Sequence, residues 1–179
     1  MDTQLYYIHG LYGSANSFKF LELKEKYPNI ECLSWSENDN MQLKLQEWRS
    51  VIISNKHENS CVIASSTGCN FAYQLRKLLK PYFIKVVFIN PLFDVSDIVK
   101  PNLMPFQLLK YLVKIEKHSE SLLLFSENDE VLNNKKYFST DSCFFKNNQV
   151  IIDHKSSHKF ENLKQYYPKI DNLINAIYL

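Results

Sequence analysis

The chain has 179 residues, 45% hydrophobic and 22% charged, with a formal net charge of +2. That is the size of one domain, residues 1–179, able to bury about 70% of its unfolded surface without a disulfide or metal staple. Charges of both signs are interspersed, which excludes the basic footprint of a nucleic-acid or anionic-membrane binder, and no apolar run approaches the ~20 residues that cross a bilayer. Met1-Asp2-Thr3-Gln4 lacks the basic flank and apolar stretch of a signal peptide. Cys32, Cys61, Cys69 and Cys143 show no C-x-x-C spacing, so neither a metal site nor a disulfide framework is expected. The composition reads as a reduced, cytoplasmic domain.

In chain order, Gln4 to Ile8 is an apolar run that reads as a buried strand feeding the loop at His9-Gly10. Ser14 or Ser17 can cap a helix that runs to about Tyr27 and is stopped by Pro28. Ile30 to Trp35 reads as a second strand. Asp39 or Asn40 opens a helix whose apolar residues Leu43, Leu45, Trp48, Val51 and Ile52 keep near-helical period. Cys61 to Ala64 is a third strand, running through Ser65-Ser66-Thr67-Gly68 into a helix closed by Pro81. Ile84 to Ile89 is a fourth, ending at Asn90-Pro91. A helix is expected around Phe106 to Ile115, then a strand Leu122 to Phe125, a strand Val150 to Ile152, and a last helix from about Phe160 to Ile177. His57 and His118 fall in lysine- and glutamate-rich stretches and read as solvated.

Short, continuously apolar strands alternating with amphipathic helices predict parallel strands buried on both faces. The expected fold is α/β: a doubly wound, mainly parallel sheet of about six strands with helices on both faces. In such a sheet ligands sit beyond the carboxyl ends of the strands, so the residues that follow each strand carry the chemistry.

The chain has only three glycines, where average usage of about 7% would give about twelve. They are Gly10, Gly13 and Gly68, and all fall in two of these strand-end loops. Ala64-Ser65-Ser66-Thr67-Gly68 has the small-x-Ser-x-small pattern of a nucleophile elbow. Small flanks at Ala64 and Gly68 single out Ser66; around Ser65 the flanks would be Ile63 and Thr67, both β-branched. A serine in this place is also a common helix cap. The N–H of Thr67 would give one oxyanion donor. The loop His9-Gly10-Leu11-Tyr12-Gly13 would supply the other, with Gly10 allowing close approach and Gly13 a turn of positive φ. An acid and a histidine should follow in that order. Asp129, Asp94 and Glu127 are open for the acid, His154 and His158 for the base.

These residues resemble the α/β-hydrolase superfamily and, within it, the small YqiA-like esterases of the UPF0227 group. The segments that carry the likeness are Tyr7-Ile8-His9-Gly10, Ser14 to Lys19, Ala64 to Gly68, Ile89-Asn90-Pro91, Asp129-Glu130-Val131-Leu132 and Ser157-His158-Lys159-Phe160. The resemblance implies a Ser66-His158-Asp129 triad, an oxyanion hole from the Leu11 and Thr67 amides, and cleavage of small acyl esters or thioesters without cofactor or metal. About thirty residues separate the fourth and fifth strands, too few for a large cap, which points to an open site and a short or exposed acyl group. The rival expectation is a non-catalytic binding module on the same fold.

Overall fold

The computed structural model describes residues 3–55, 59–82, 84–139 and 141–176. Six strands, β1 (Thr3–Ile8), β2 (Glu31–Cys32), β3 (Asn59–Ser65), β4 (Ile84–Ile89), β5 (Ser121–Ser126) and β6 (Gln149–Asp153), form one sheet in the order β2-β1-β3-β4-β5-β6. Every pairing is parallel. The helices are α1 (Phe18–Lys26), α2 (Met41–Ser54), α3 (Thr67–Leu78), α4 (Phe106–Leu109), α5 (Cys143–Lys146) and α6 (Tyr167–Asn175).

The two-residue period of a strand divides the core into two layers. On β1, Tyr6 and Ile8 join Val62 and Ala64 of β3 in a layer with Trp48 and Ile52 of α2 and Phe71 and Leu75 of α3. Leu5 and Tyr7 join Cys61 and Ile63 in the opposite layer, with Phe20 and Leu23 of α1 and Ile170 and Leu173 of α6. Each central strand is therefore buried on both faces, the physical reason for its unbroken apolar sequence. Strand order reverses between β1 and β3, where Ile8 lies opposite Ala64, so the crevice at that switch point opens above the loop after β1 and the turn after β3.

Three elements and one histidine depart from the sequence pattern. The second strand keeps ladder pairing only at Glu31–Cys32, because the Trp35 backbone N–H and indole N–H both turn to His9. The helix expected from Phe106 to Ile115 ends at Leu109. Side chains of α3 take over the backbone beyond it: Asn70 bonds both the N–H and carbonyl of Val113, and Gln74 donates to the Tyr111 carbonyl. The last helix starts as a 3-10 turn at Leu163–Tyr166 and becomes α-helical only at Tyr167; Pro168 is tolerated only in a first turn. His118 is buried, not solvated: its ring lies 4.8 Å from that of Phe88 and 5.7 Å from that of Tyr73. His57 lies outside the described residues.

Candidate active site

Ser66 joins β3 to α3. Its backbone sits at φ 55, ψ −123, a region that costs an L-residue of order 1–3 kcal/mol and is held only when the surroundings over-determine it. Here its N–H donates to the Ile89 carbonyl, and its own carbonyl accepts from Cys69 and Leu92. The packing explains the small flanks. Ala64 is fully buried, and a Cβ on Gly68 would overlap the His9 carbonyl oxygen. The turn lifts the Ser66 hydroxyl above the sheet, 3.1 Å from His158 Nε2.

His158 stands in the loop after β6. Its Nδ1 lies 2.8 and 2.9 Å from the two Asp129 carboxylate oxygens, and Asp129 follows β5 with a side chain only 2% exposed. That carboxylate is fixed by the backbone N–H groups of Val131 and Leu132, both donating to Oδ1. With an ionised carboxylate at Nδ1, that nitrogen carries the proton and Nε2 is left as an acceptor for the Ser66 hydroxyl. The other residues open in the sequence go elsewhere. Asp94 caps the short turn Val95–Asp97 through the Ser96 N–H. Glu127 meets His154 Nδ1 at 2.6 Å, an exposed pair with side chains 44% and 72% accessible.

The loop after β1 closes the other side. Gly13 N–H donates to the Gly10 carbonyl, and the residue with positive φ in this turn is Tyr12 (φ 58), not Gly13; none of the described glycines has positive φ. Gly13 is needed for space instead, since a Cβ there would lie 2.8 Å from the His9 Cβ. Gly10 meets its expectation of close approach: a Cβ on it would sit 3.1 Å from the Ser66 Cβ. His9 is buried and stacked on Trp35 with centroids 5.5 Å apart. Its Nε2 accepts the Trp35 N–H, so Nδ1 holds the proton and donates to the Gly10 carbonyl at 2.8 Å. Burial lowers its pKa and keeps it neutral. Among the described residues, the N–H groups of Leu11 and Thr67 donate to no protein acceptor, and both residues line the cavity above Ser66.

That cavity has a volume of about 660 Å³, within the range of small-molecule sites. One wall is apolar, from Leu11, Leu92, Ile98, Leu103, Met104 and Leu132; the segment between β4 and β5 supplies Leu92, Ile98, Leu103 and Met104, a small cover rather than a large cap. The end of β1, the start of α1 and the elbow add Tyr7, Ser17, Phe18, Lys19 and Ser65, and Lys100 and Lys159 also line the cavity. Among the described residues, no group of His, Cys, Asp and Glu is placed to hold a metal ion.

Several residues of this site escaped the sequence pattern. Asn90, fully buried at φ 45, accepts from the Ser126 N–H and donates to the Ser126 hydroxyl and the His158 carbonyl. The Ser126 hydroxyl in turn donates to the Ser157 carbonyl, and Glu130 accepts the His158 N–H. Asn90 was visible as part of Asn-Pro. Glu130 lies within the Asp-Glu-Val-Leu segment but nothing there points to its bond with the His158 N–H, and nothing in the sequence separates Ser126 from an ordinary strand-end residue.

The order of β-strands, the serine elbow and the Asp-then-His loops extend along nearly the whole chain, and so does one family profile: the model of UPF0227, described as an uncharacterised protein family, matches residues 4–175. The chain belongs to UPF0227. No curated protein matches this UPF0227 chain in sequence. Solved structures do match its shape. Alpha/beta hydrolase domain-containing protein 10 from mouse superposes with a TM-score of 0.74 at 13% identity, over 96% of this chain and 89% of that one. Est1E from Butyrivibrio proteoclasticus gives 0.70 at 11%, over 97% and 89%. A structure reported with the metagenome-derived lipolytic enzymes LipS and LipT gives 0.60 at 12%, over 97% and 94%. At such identities the likeness shows the fold, and this UPF0227 member has the α/β-hydrolase fold. Among its described residues no helix is long and apolar enough to cross a membrane.

Proposed function

We propose that this chain is a serine hydrolase that cleaves small acyl esters or thioesters through an acyl-enzyme, with Ser66 as nucleophile, His158 as general base and Asp129 as the group that orients it. The observation that carries the reading is the continuous hydrogen-bonded chain from the Ser66 hydroxyl through both His158 nitrogens to a buried, backbone-anchored carboxylate. A serine hydroxyl is a weak nucleophile until a neighbouring base takes its proton.

The steps follow from the geometry. As Ser66 Oγ attacks the carbonyl carbon, its proton passes to His158 Nε2, and Asp129 stabilises the imidazolium. Negative charge grows on the carbonyl oxygen, which the unpaired Leu11 and Thr67 amides are disposed to receive; Thr67 opens α3, so its amide adds the positive end of the helix. His158 then returns the proton to the departing alkoxide or thiolate. A water molecule, deprotonated by His158, repeats the sequence on the acyl-enzyme and releases the acid. The fold shared with lipolytic enzymes and with an alpha/beta hydrolase domain protein is consistent with this chemistry, although fold alone does not carry function.

The test is labelling of the purified protein with a fluorophosphonate, read by intact mass beside Ser66→Ala. One equivalent of adduct on the parent protein and none on the variant is expected. A folded parent protein that takes no label would overturn the reading in favour of a binding module.

A further inference from the structure

The part of the cavity lined by Tyr7, Ser17, Lys19 and Ser65 is built differently from a surface that only receives hydrocarbon. Lys19 projects from the first turn of α1 and donates from Nζ to the Ser65 hydroxyl at 2.9 Å, directly beside the serine elbow. Among the described residues, no carboxylate comes within ion-pairing distance of that ammonium. The two acids that line the same cavity are engaged elsewhere: both Glu161 oxygens accept from the Ser157 N–H and hydroxyl, and Glu130 accepts the His158 N–H. Asp129, Glu161 and Glu22 act on it only at longer range, and burial outweighs them; a largely buried cation without a contacting carboxylate is costly unless a counter-ion arrives.

Ser17 points the same way. It occupies the N-cap of α1 with extended backbone (φ −67, ψ 144), where a serine side chain ordinarily accepts a helix N–H, yet it makes no capping bond. Its Oγ is buried and has no hydrogen-bond partner among the described residues. An orphaned buried hydroxyl costs about 1–3 kcal/mol. The buried Tyr7 side chain lines the same cavity, and the nine-residue helix α1 brings its N-terminus to it through Ser17, with no acidic residue in its first turn.

We propose that Lys19, Ser17 and Tyr7, with the N-terminus of α1, form an anion subsite beside Ser66 that receives an ionised carboxylate on the acyl group, so that the preferred substrates are monoesters or monothioesters of dicarboxylic acids. This deepens the hydrolase reading and rests on Ser66 being the nucleophile. Lys100 and Lys159 also line the cavity, but no arginine is among its lining residues, so the planar fork that best grips a phosphate is missing, whereas one ammonium beside hydroxyl donors suits a singly charged carboxylate. The apolar wall then faces the hydrocarbon between the two carbonyl carbons and the leaving group.

The test compares aryl hemiesters of succinic and glutaric acid with aryl butyrate and pentanoate, which match them in chain length, on the parent protein and on Lys19→Met. The parent protein is expected to show kcat/KM at least tenfold higher for the hemiester, and Lys19→Met to lower the ratio of the two at least tenfold. A Lys19 that merely props the elbow would lower both esters in proportion and leave the ratio in place, which overturns the proposal; so does a parent protein that cleaves the neutral esters with no preference for the hemiesters. Calorimetry of glutarate binding to Ser66→Ala separates this from the hydrolase reading, because it requires no turnover. Glutarate binding that Lys19→Met abolishes supports the subsite even if no ester is cleaved. Where no ester is cleaved, absence of glutarate binding sinks it.

Discussion

Gly68 lies against the backbone of His9 so closely that a Cβ on residue 68 would overlap the His9 carbonyl oxygen and stand 2.5 Å from that of Ile8. The first turn of α3 is thus in direct backbone contact with the end of β1, and this contact sets the distance between the Thr67 and Leu11 amides. Gly68→Ala should therefore act on both stability and site. Neither carbonyl can yield without disturbing the sheet, so the cost should reach or exceed the ~1–3 kcal/mol of core overpacking. Urea unfolding should show a lower midpoint, and fluorophosphonate labelling of the fraction that folds should slow. An unchanged midpoint would mean that the two elements separate more freely than this packing allows.

Asp129→Asn should be far more damaging than its shape suggests. Asp129 Oδ1 is held by the Val131 and Leu132 N–H groups, so an asparagine must place its carbonyl oxygen there and turn its NH2 toward His158. Two donors cannot face each other. His158 would then carry its proton on Nε2, where it cannot accept from Ser66. On the proposed mechanism kcat falls by about 10³–10⁴-fold with an unchanged circular dichroism spectrum. A loss of less than tenfold would show that Asp129 does not set the tautomer.

How much of this was legible in the sequence depends on what held each element. The strands and the serine elbow could be read because their signals are local: an apolar run, a small-x-Ser-x-small turn, a glycine supply spent in two loops. The site loops could be placed because parallel strands all end at one edge. What could not be read was set by partners distant in the chain. Asn70 and Gln74 of α3 cut short a helix about forty residues away, and Trp35 turns from its ladder to meet His9. His118 has polar neighbours in sequence but aromatic neighbours in space. The positive φ at Tyr12 rather than at Gly13 shows that the glycine was kept for its missing Cβ, against His9, and not for backbone freedom. Pro168 marks the start of α6 near Tyr167, a signal that the expected helix from about Phe160 left unused.

Asn90→Gly tests the support of His158 apart from backbone strain, since glycine accepts φ 45 freely. The substitution removes the bonds from Asn90 to Ser126 and to the His158 carbonyl but leaves the triad residues themselves intact. The loop carrying His158 loses its side-chain tie to the end of β4 and keeps the one from the Ser126 hydroxyl to the Ser157 carbonyl. A fall in kcat of about 10–100-fold with KM little changed is expected for a base displaced by a fraction of an ångström to an ångström. A rise in KM at constant kcat would place Asn90 in substrate binding instead.

His118 makes stability depend on pH. Burial among Phe88 and Tyr73, reinforced by the Arg76 guanidinium with Nη1 3.4 Å from Nε2, pushes its pKa down to about 3. An unfolded histidine titrates near 6.5. Between these values the unfolded chain takes up a proton that the native protein refuses, so stability is full above pH 6.5 and falls as pH falls toward 3, by about 1.4 kcal/mol per pH unit. From pH 7.5 to 5 this one group should remove about 2 kcal/mol. His9, also lowered by burial, adds a contribution of the same sign. His118→Phe keeps the ring contacts and cannot titrate, so the difference between its urea-unfolding free energies at pH 7.5 and 5 should shrink by about that amount, with the His9 share remaining. An identical pH dependence in the two proteins would mean that His118 gains its proton inside the fold, and that the pocket formed by Phe88, Tyr73 and Arg76 opens to water.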